Sequence, residues 1–293
     1  MSESGSGTGV LADETVIVTG GTRGIGRAIV DRFAAEGANL VVSSRSDDDV
    51  TTVADELRTE YDVDAVGVPC DVTNADEIEA MVDATLERFG GIDALVSNAG
   101  GSIADDNLHR IDEEAWDRTV DLNLKSLFLV SREVLPPMVE SGGGSIVHMS
   151  SVNGLDGIGQ IAYSSARSGV LGLSRLIATQ YGRHGIRSNV LCPGTIETDR
   201  RNERMDDTGE SREVAEHDGE WTQHDQWIDQ YPAGRFGRPE EVADAALFLA
   251  SSMSSFVNGT SLVVDGGLTA GLDWSFQQQI FQSDEPPTRP SKR

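Results

Sequence analysis

Short apolar runs rich in Val, Ile, Leu and Ala recur along this chain, and the segments between them carry helical periodicity. The runs are Thr15–Thr19, Asn39–Ser43, Ala65–Cys70, Ala94–Ser97, Ser145–Met149, Arg187–Cys192 and Ser261–Val264. A half-exposed strand alternates apolar and polar residues, whereas a strand buried on both faces reads as a continuous apolar run. Buried strands alternating with helices argue for an α/β fold, a parallel sheet with helices on both faces. The clearest helix lies between the third and fourth runs. Thr73 is its expected N-cap, Ile78, Met81, Val82, Leu86 and Phe89 form one stripe, and Gly90 stops it. The length, 293 residues, suits one such domain. Three segments break the rhythm: the Ser/Gly-rich start, the polar stretch Asp199–Gln230, and a Pro-rich basic end from Asp284. The expected organisation is a disordered tail at 1–10, one domain at 11–272 with a polar insert at 199–230, and an extension at 273–293 whose end is disordered.

Charge excludes several function classes. With 49 Asp and Glu against 23 Lys and Arg, the formal net charge is −26. Such a chain is ill suited to nucleic acid, whose binding is dominated by cationic contacts to phosphates, or to anionic membranes. No apolar run approaches the length of a transmembrane helix, and the first nine residues lack the basic and apolar regions of a signal peptide. Cys70 and Cys192 are isolated thiols inside apolar runs, which suits a reducing cytoplasm. Only Lys125 and Lys292 are lysine; the other basic residues are arginine. Acid excess with scarce lysine resembles proteins of salt-loving organisms, where a Debye length of about 3 Å at ~1 M salt lets such a surface persist. Codon bias with an acidic surface would produce the same counts.

The first strand runs into Gly20-Gly21-Thr22-Arg23-Gly24-Ile25-Gly26 and then a helical stretch. A glycine turn between strand and helix lets backbone N–H groups approach a pyrophosphate at the helix N-terminus. The ordered set Thr19-Gly20-xxx-Gly24-x-Gly26, Asp71-Val72, Ser97-Asn98-Ala99-Gly100, Asn123, Ser150-Ser151, Tyr163 and Pro193-Gly194-x-Ile196-x-Thr198 follows. Gly234-Arg235-Phe236-Gly237-Arg238-Pro239-Glu240-Glu241 and Asp265-Gly266-Gly267 complete it. In this order the motifs resemble those of the short-chain dehydrogenase/reductase family, in particular its 3-oxoacyl-carrier-protein-reductase-like and sugar or alcohol dehydrogenase members, over about residues 11–270. The resemblance implies a doubly wound, Rossmann-type sandwich of about seven parallel strands with helices on both faces. It also implies a nicotinamide dinucleotide, hydride transfer between it and a carbonyl or secondary alcohol, and a homotetramer, or a dimer as second choice, paired through Ala162–Tyr181 and Asp112–Met138.

Asp71 would then meet the adenine amino group and the Val72 amide the ring, although an Asp there also caps a following helix. Asn98, Ala99 and Gly100 would lie against the nicotinamide ribose, and a bare turn uses Asn and Gly too. Thr198 would bond the carboxamide, or cap the next segment. An acid at the end of the second strand would bind a ribose 2′-hydroxyl. Here Ser44 and Arg45 stand there, with Arg23 in the glycine turn, which favours the 2′-phosphate of NADP(H) over NAD(H). Asp47-Asp48-Asp49 could blunt that preference.

The main anomaly is Tyr163-Ser164-Ser165-Ala166-Arg167, where the family has Tyr-x-x-x-Lys. By resemblance Asn123, Ser151, Tyr163 and Arg167 form the catalytic set, and Tyr163 and Arg167 also bind cofactor. Residues four apart share a helix face. Arginine keeps the cation but does not give up a proton, so any relay would pass through a ribose hydroxyl and water near Asn123. Lys125 would point away. Arg167 is therefore a functional replacement, a cause of reduced activity, or a mark of a degenerate nucleotide-binding protein acting as sensor or partner subunit. The spacing from Ser151 to Tyr163 is one short of the family's, and Ser150 would restore it; Ser151 is preferred because Gly154 completes Ser-x-x-Gly. In and just after the insert, Trp221, Trp227, Tyr231 and Phe236 could close over a substrate or pin the loop to the body. His217 and His224, near Asp218 and Glu220, lack a metal-ligand spacing and read as solvated.

Overall fold

The computed structural model of the chain describes residues 9–103, 105–198 and 223–271. Among them, β1 (Thr15–Thr19), β2 (Asn39–Ser44), β3 (Ala65–Pro69), β4 (Ala94–Ser97), β5 (Gly144–Met149), β6 (Ile186–Pro193) and β7 (Ser261–Val264) form one sheet. The strand order is β3-β2-β1-β4-β5-β6-β7, and every neighbouring pair is parallel. The expected strands recur within a residue at most ends. All carboxyl ends lie at one edge, and the order reverses between β1 and β4, which opens a crevice there.

Both faces of the sheet are covered. Val16, Val18 and Val96 pack with Ile29 and Phe33 of α1 (Gly24–Ala34) and with Val242 and Leu249 of α8 (Pro239–Ala250). On the other face Ile17, Leu95 and Ile146 pack with Ile78 and Met81 of α3 (Ala75–Phe89) and Val134 of α5 (Ser126–Glu140). Alternate residues of β1 thus enter two different cores, which is why its sequence is uninterruptedly apolar.

Asn74, not Thr73, caps α3: its side chain accepts from the Asp76 N–H, while the Thr73 hydroxyl donates to Asp71. Gly90 ends α3 in the left-handed region as expected. Helix α2 (Asp47–Tyr61) is capped by Ser46, and Asp47, Asp48 and Asp49 fill its first turn, where the helix dipole favours carboxylates. Helix α4 (Glu113–Val120) passes into α5 through a π-helical turn, Asp121–Lys125, that contains Asn123. Helix α6 (Ile161–Tyr181) carries Tyr163 and Arg167. Short α7 (Gln223–Ile228) precedes α8. No helix among the described residues is long and apolar enough to cross a membrane. The expectations for residues 1–8, most of the polar insert (199–222, with Trp221, His217, Asp218 and Glu220) and the extension from 272 lie outside the described residues, as does the side chain of His224.

Candidate active site

The carboxyl ends of β1 and β4 are tied together by their own side chains. Asn98 Nδ2 donates to the carbonyls of Thr19 (3.1 Å) and Gly20 (3.0 Å), and Thr19 Oγ1 accepts from the N–H groups of Asn98 and Ala99. Packing of α1 over this turn leaves no room at residue 26, where a Cβ would stand 2.0 Å from the Gly20 carbonyl oxygen. The result is an open backbone cradle of Gly20, Thr22, Arg23, Gly24 and Ile25 at a helix N-terminus, with the Arg23 side chain exposed and Ile25 packed on the core. The loop leaving β6 reaches the same place. Buried Pro193 ends the strand, Gly194 donates to Val264, Ile196 bridges to Gly237, and the methyl of Thr198 lies over Gly24.

At the end of β2, Ser44 Oγ is buried with no partner and Arg45 is exposed. Cys70 N–H continues the ladder onto Ser44, so Asp71 and Val72 follow β3 beside this edge. Asp71 makes a local turn, accepting from Thr73 through both backbone and hydroxyl. Burial raises its pKa, but those hydrogen bonds and the charge of Arg45 outweigh it, and the carboxyl is held below its ordinary value. The Asp71 side chain is thus already engaged, though not as a helix cap.

The β5–α6 region gathers the proposed catalytic residues. Arg167 is buried at 2% exposure, and its Nη1 donates to the Met149 carbonyl at 2.7 Å. Its Cζ stands 5.0 Å from the Tyr163 ring centroid, a cation–π distance. Nε is buried without a partner. No described carboxylate pairs with this guanidinium, although buried cations ordinarily need an ion pair or several acceptors. Gly100 is required here, because a Cβ would fall 2.2 Å from Arg167 Nη2 and 3.0 Å from Asn123 Oδ1. Asn123 is fully buried and wholly engaged: it donates to Gly101 (2.9 Å) and Thr119 (2.8 Å) and accepts from Gly101 N–H (2.9 Å). The amide therefore holds the loop after β4.

The two serines separate cleanly. Ser150 is buried and donates to the Arg167 carbonyl at 2.9 Å. Ser151 is half-buried, held only by Asn153 through contacts of 3.2 and 3.3 Å. Lys125 is exposed and pairs with Asp121 at 3.1 Å, away from Tyr163 as its register required. Both cysteines are buried and unpaired, and burial pushes each thiol up to about 11, which removes them as nucleophiles near neutral pH.

The described aromatics in and just after the insert pin it to the body. Trp227 Nε1 donates to Thr195 Oγ1 (3.0 Å), and the Tyr231 hydroxyl accepts from Thr195 N–H (2.8 Å). Tyr231 and Phe236 are buried and meet edge to face. Sequence reasoning missed Asp105, whose carboxylate receives the N–H groups of Ala162 (3.1 Å) and Tyr163 (2.7 Å). No local signal marks it, since its partners are 57 and 58 residues away.

A dinucleotide fits what is present: a glycine-rich cradle at the helix N-terminus, a glycine beside the buried cation, and an orphan Arg167 Nε with no anion among the described residues. The comparisons agree with this architecture. A family model described as Enoyl-(Acyl carrier protein) reductase matches residues 20–269. A 3-oxoacyl-(acyl-carrier-protein) reductase of Chlamydia muridarum is 36% identical over 260 residues, covering 88% of this chain and 98% of that protein. Levodione reductase of Leifsonia aquatica is 37% identical over 274 residues, covering 92% and 99%. The crystal structure of a levodione reductase superposes with a TM-score of 0.82 at 36% identity, over 89% of this chain and all of that one. With the ordered motifs and the β1–β4 crevice, these matches establish that the chain belongs to the short-chain dehydrogenase/reductase family.

Proposed function

We propose that the chain is an NADP(H)-dependent oxidoreductase interconverting a small-molecule carbonyl and its secondary alcohol. One observation carries this reading: Arg167 is a buried cation with no carboxylate partner among the described residues, lying against both the Tyr163 ring and the glycine at the nicotinamide-side turn. The dinucleotide would be held by the Gly20–Gly26 turn, Asp71 and Val72, Asn98–Gly100, and Pro193, Gly194, Ile196 and Thr198. When bound, its nicotinamide supplies or receives the hydride.

The chain's own part is proton transfer and orientation. Tyr163 gives its phenolic proton to the carbonyl oxygen on reduction and recovers one on oxidation. Ser151 donates a hydrogen bond to the same oxygen; Ser150 is already committed to Arg167, which supports the choice of Ser151. The Arg167 guanidinium lies over the Tyr163 ring and places a positive charge beside the phenol. Asn123 holds Gly101 and so shapes the wall beside these groups. An intact Asn123, Ser151 and Tyr163, together with relatives named as reductases, lend the sensor reading no support.

Arg45 and Arg23 are exposed cations at the ribose edge, with no acid at Ser44, which supports NADP(H). The acids after Arg45 are drawn into the first turn of α2. Unpaired buried cysteines support a cytoplasmic setting. Exposed Phe128 on α5 and Leu176 on α6, 46% and 58% accessible, support assembly through those helices as a homotetramer or, second, a dimer. Light scattering in concentrated KCl that returns a monomer refutes the assembly.

The test is turnover with NADPH and NADH against levodione, an acetoacetyl thioester, a 3-ketosteroid and simple secondary alcohols, at low and high KCl. Reduction of at least one carbonyl is expected, with Tyr163→Phe lowering kcat by about 10²-fold or more at unchanged NADPH affinity. Cofactor binding without turnover of any substrate rejects the enzymatic reading. Near wild-type activity in Tyr163→Phe rejects the tyrosine mechanism.

A further inference from the structure

The helix that carries Tyr163 begins without a cap of its own. Gln160 is in the N-cap position, with extended backbone, and its side chain makes no capping hydrogen bond. An α-helix leaves its first N–H groups without intrahelical acceptors, and a buried end must find partners elsewhere. In α6 the second and third of these groups belong to Ala162 and Tyr163. Both donate to one carboxylate, Asp105, from the loop after β4: 3.1 Å to Oδ1 and 2.7 Å to Oδ2.

The same loop is stitched on both sides of the crevice. Gly101 exchanges two hydrogen bonds with Asn123 in the π-helical turn, and the Ile103 carbonyl accepts from Thr119 Oγ1 at 3.1 Å. Ser102 Oγ donates to Gln160 Oε1 at 3.1 Å, and Gln160 Nε2 donates to the Asp105 carbonyl at 2.8 Å. One loop therefore links the element bearing Asn123 to the first turn of the helix bearing Tyr163. Both ends of that link are polar contacts to backbone, so they set position and not merely proximity.

We infer that Asp105 is a positioning residue: as a long-range cap for α6 it fixes Tyr163 relative to the turn that bears Asn123, and it makes the loop after β4 part of the catalytic framework. This rests on the oxidoreductase reading above. Carboxylate capping also places negative charge at the positive end of the helix dipole, so the contact is favourable in its own right. Tyr163 is only the third residue of the helix. Loss of the cap frays the very turn that aims the phenol, and a misplacement of about 1 Å at a reacting group can cost about 10²-fold in rate.

The experiment compares wild type, Asp105→Ala and Asp105→Asn using NADPH and whichever carbonyl of the panel turns over. Asparagine keeps an acceptor oxygen for the exposed N–H groups; alanine keeps none. Asp105→Ala is expected to lower kcat by about tenfold, with KM and NADPH affinity within about twofold, and Asp105→Asn to recover most of the loss. Amide hydrogen exchange at Ala162 and Tyr163 should accelerate in Asp105→Ala and be largely restored in Asp105→Asn. An unchanged kcat overturns the inference. So does a kcat loss matched by an equal loss of cofactor affinity, or an asparagine variant as impaired as alanine. If the wild type turns over nothing, the oxidoreductase reading has failed, and exchange alone then decides the capping: unchanged protection at Ala162 and Tyr163 overturns it.

Discussion

Arg45 and Arg167 flank the same crevice, one after β2 and the other beside the end of β5, and they are built in opposite ways. Arg45 is exposed, with its charge felt by Asp71, and packing would barely notice its removal. Arg167 is 2% exposed, bonded to the Met149 carbonyl, laid over Tyr163 and accommodated only because residue 100 is glycine. An exposed cation selects among ligands through charge at little structural cost, because water solvates it when the ligand is gone. A buried cation has no such fallback, and its surroundings must be shaped for it and for whatever acceptor completes it. The setting of Arg167 is therefore a property of a whole pocket, whereas that of Arg45 is a property of one side chain.

The largest expected effect tests the buried side. Arg167→Met removes the cation and its donors together, so kcat should fall by about 10²-fold or more and NADPH should bind about tenfold more weakly. Steady-state kinetics with fluorescence titration of NADPH separate the two losses. A variant that loses only cofactor affinity breaks the assignment of Arg167 to the chemistry. Arg167→Lys sharpens the contrast: ammonium cannot span from Met149 to Gly100 as the guanidinium does, so activity should remain below wild type despite the familiar residue. Activity above wild type would show that the pocket has not adapted to arginine.

A smaller effect is expected on the exposed side. Arg45→Asp should weaken NADPH by about 10- to 100-fold and NADH by no more than about threefold, with the melting temperature unchanged. Equal losses for both cofactors, titrated at one salt concentration, would remove Arg45 from 2′-phosphate recognition. High KCl should compress the difference, since an exposed charge is screened.

The remaining effect is on stability rather than on turnover or binding, and concerns a second buried titratable group. His148 on β5 is fully buried, both ring nitrogens lack partners, and burial lowers its pKa from 6.5 to about 4. Its neighbours across the sheet are Ser97 and Val190. The unfolded chain takes up the proton near pH 6.5 and the folded chain only near 4, so the unfolded state binds more protons in that window. Stability should therefore fall as pH drops from about 6.5 to about 4, by up to about 3 kcal/mol from this group, with no further loss below. Urea unfolding of wild type and His148→Asn at both ends of the window reads the difference. Equal slopes would show that His148 finds a hydrogen-bonding partner in solution.

Much of this molecule is legible in one dimension because its rules are local or periodic. Continuous apolar runs declared strands buried on two faces, and the glycine spacing after β1 declared a backbone that something must approach closely. Gly100 looked like an ordinary turn glycine until Arg167 Nη2 was found against it. Thr73 was an equally reasonable cap by composition, and Asn74 took the role because Asp71 had already engaged the threonine. Ser150 and Ser151 were separated by only one count in sequence; in space one is committed to Arg167 and the other is not.

The sequence by itself determined the fold and the order of the motifs, since strand burial, helix periodicity and glycine turns are written in short windows. Only the tertiary structure decided which polar groups are already spent and which are free. It buried Arg167 with no counterion among the described residues, engaged Asn123 with Gly101, and brought Asp105 across nearly sixty residues to cap the helix of Tyr163. Hydrogen bonds are satisfied between groups close in space, and nothing in a local window records which distant donor a carboxylate will meet.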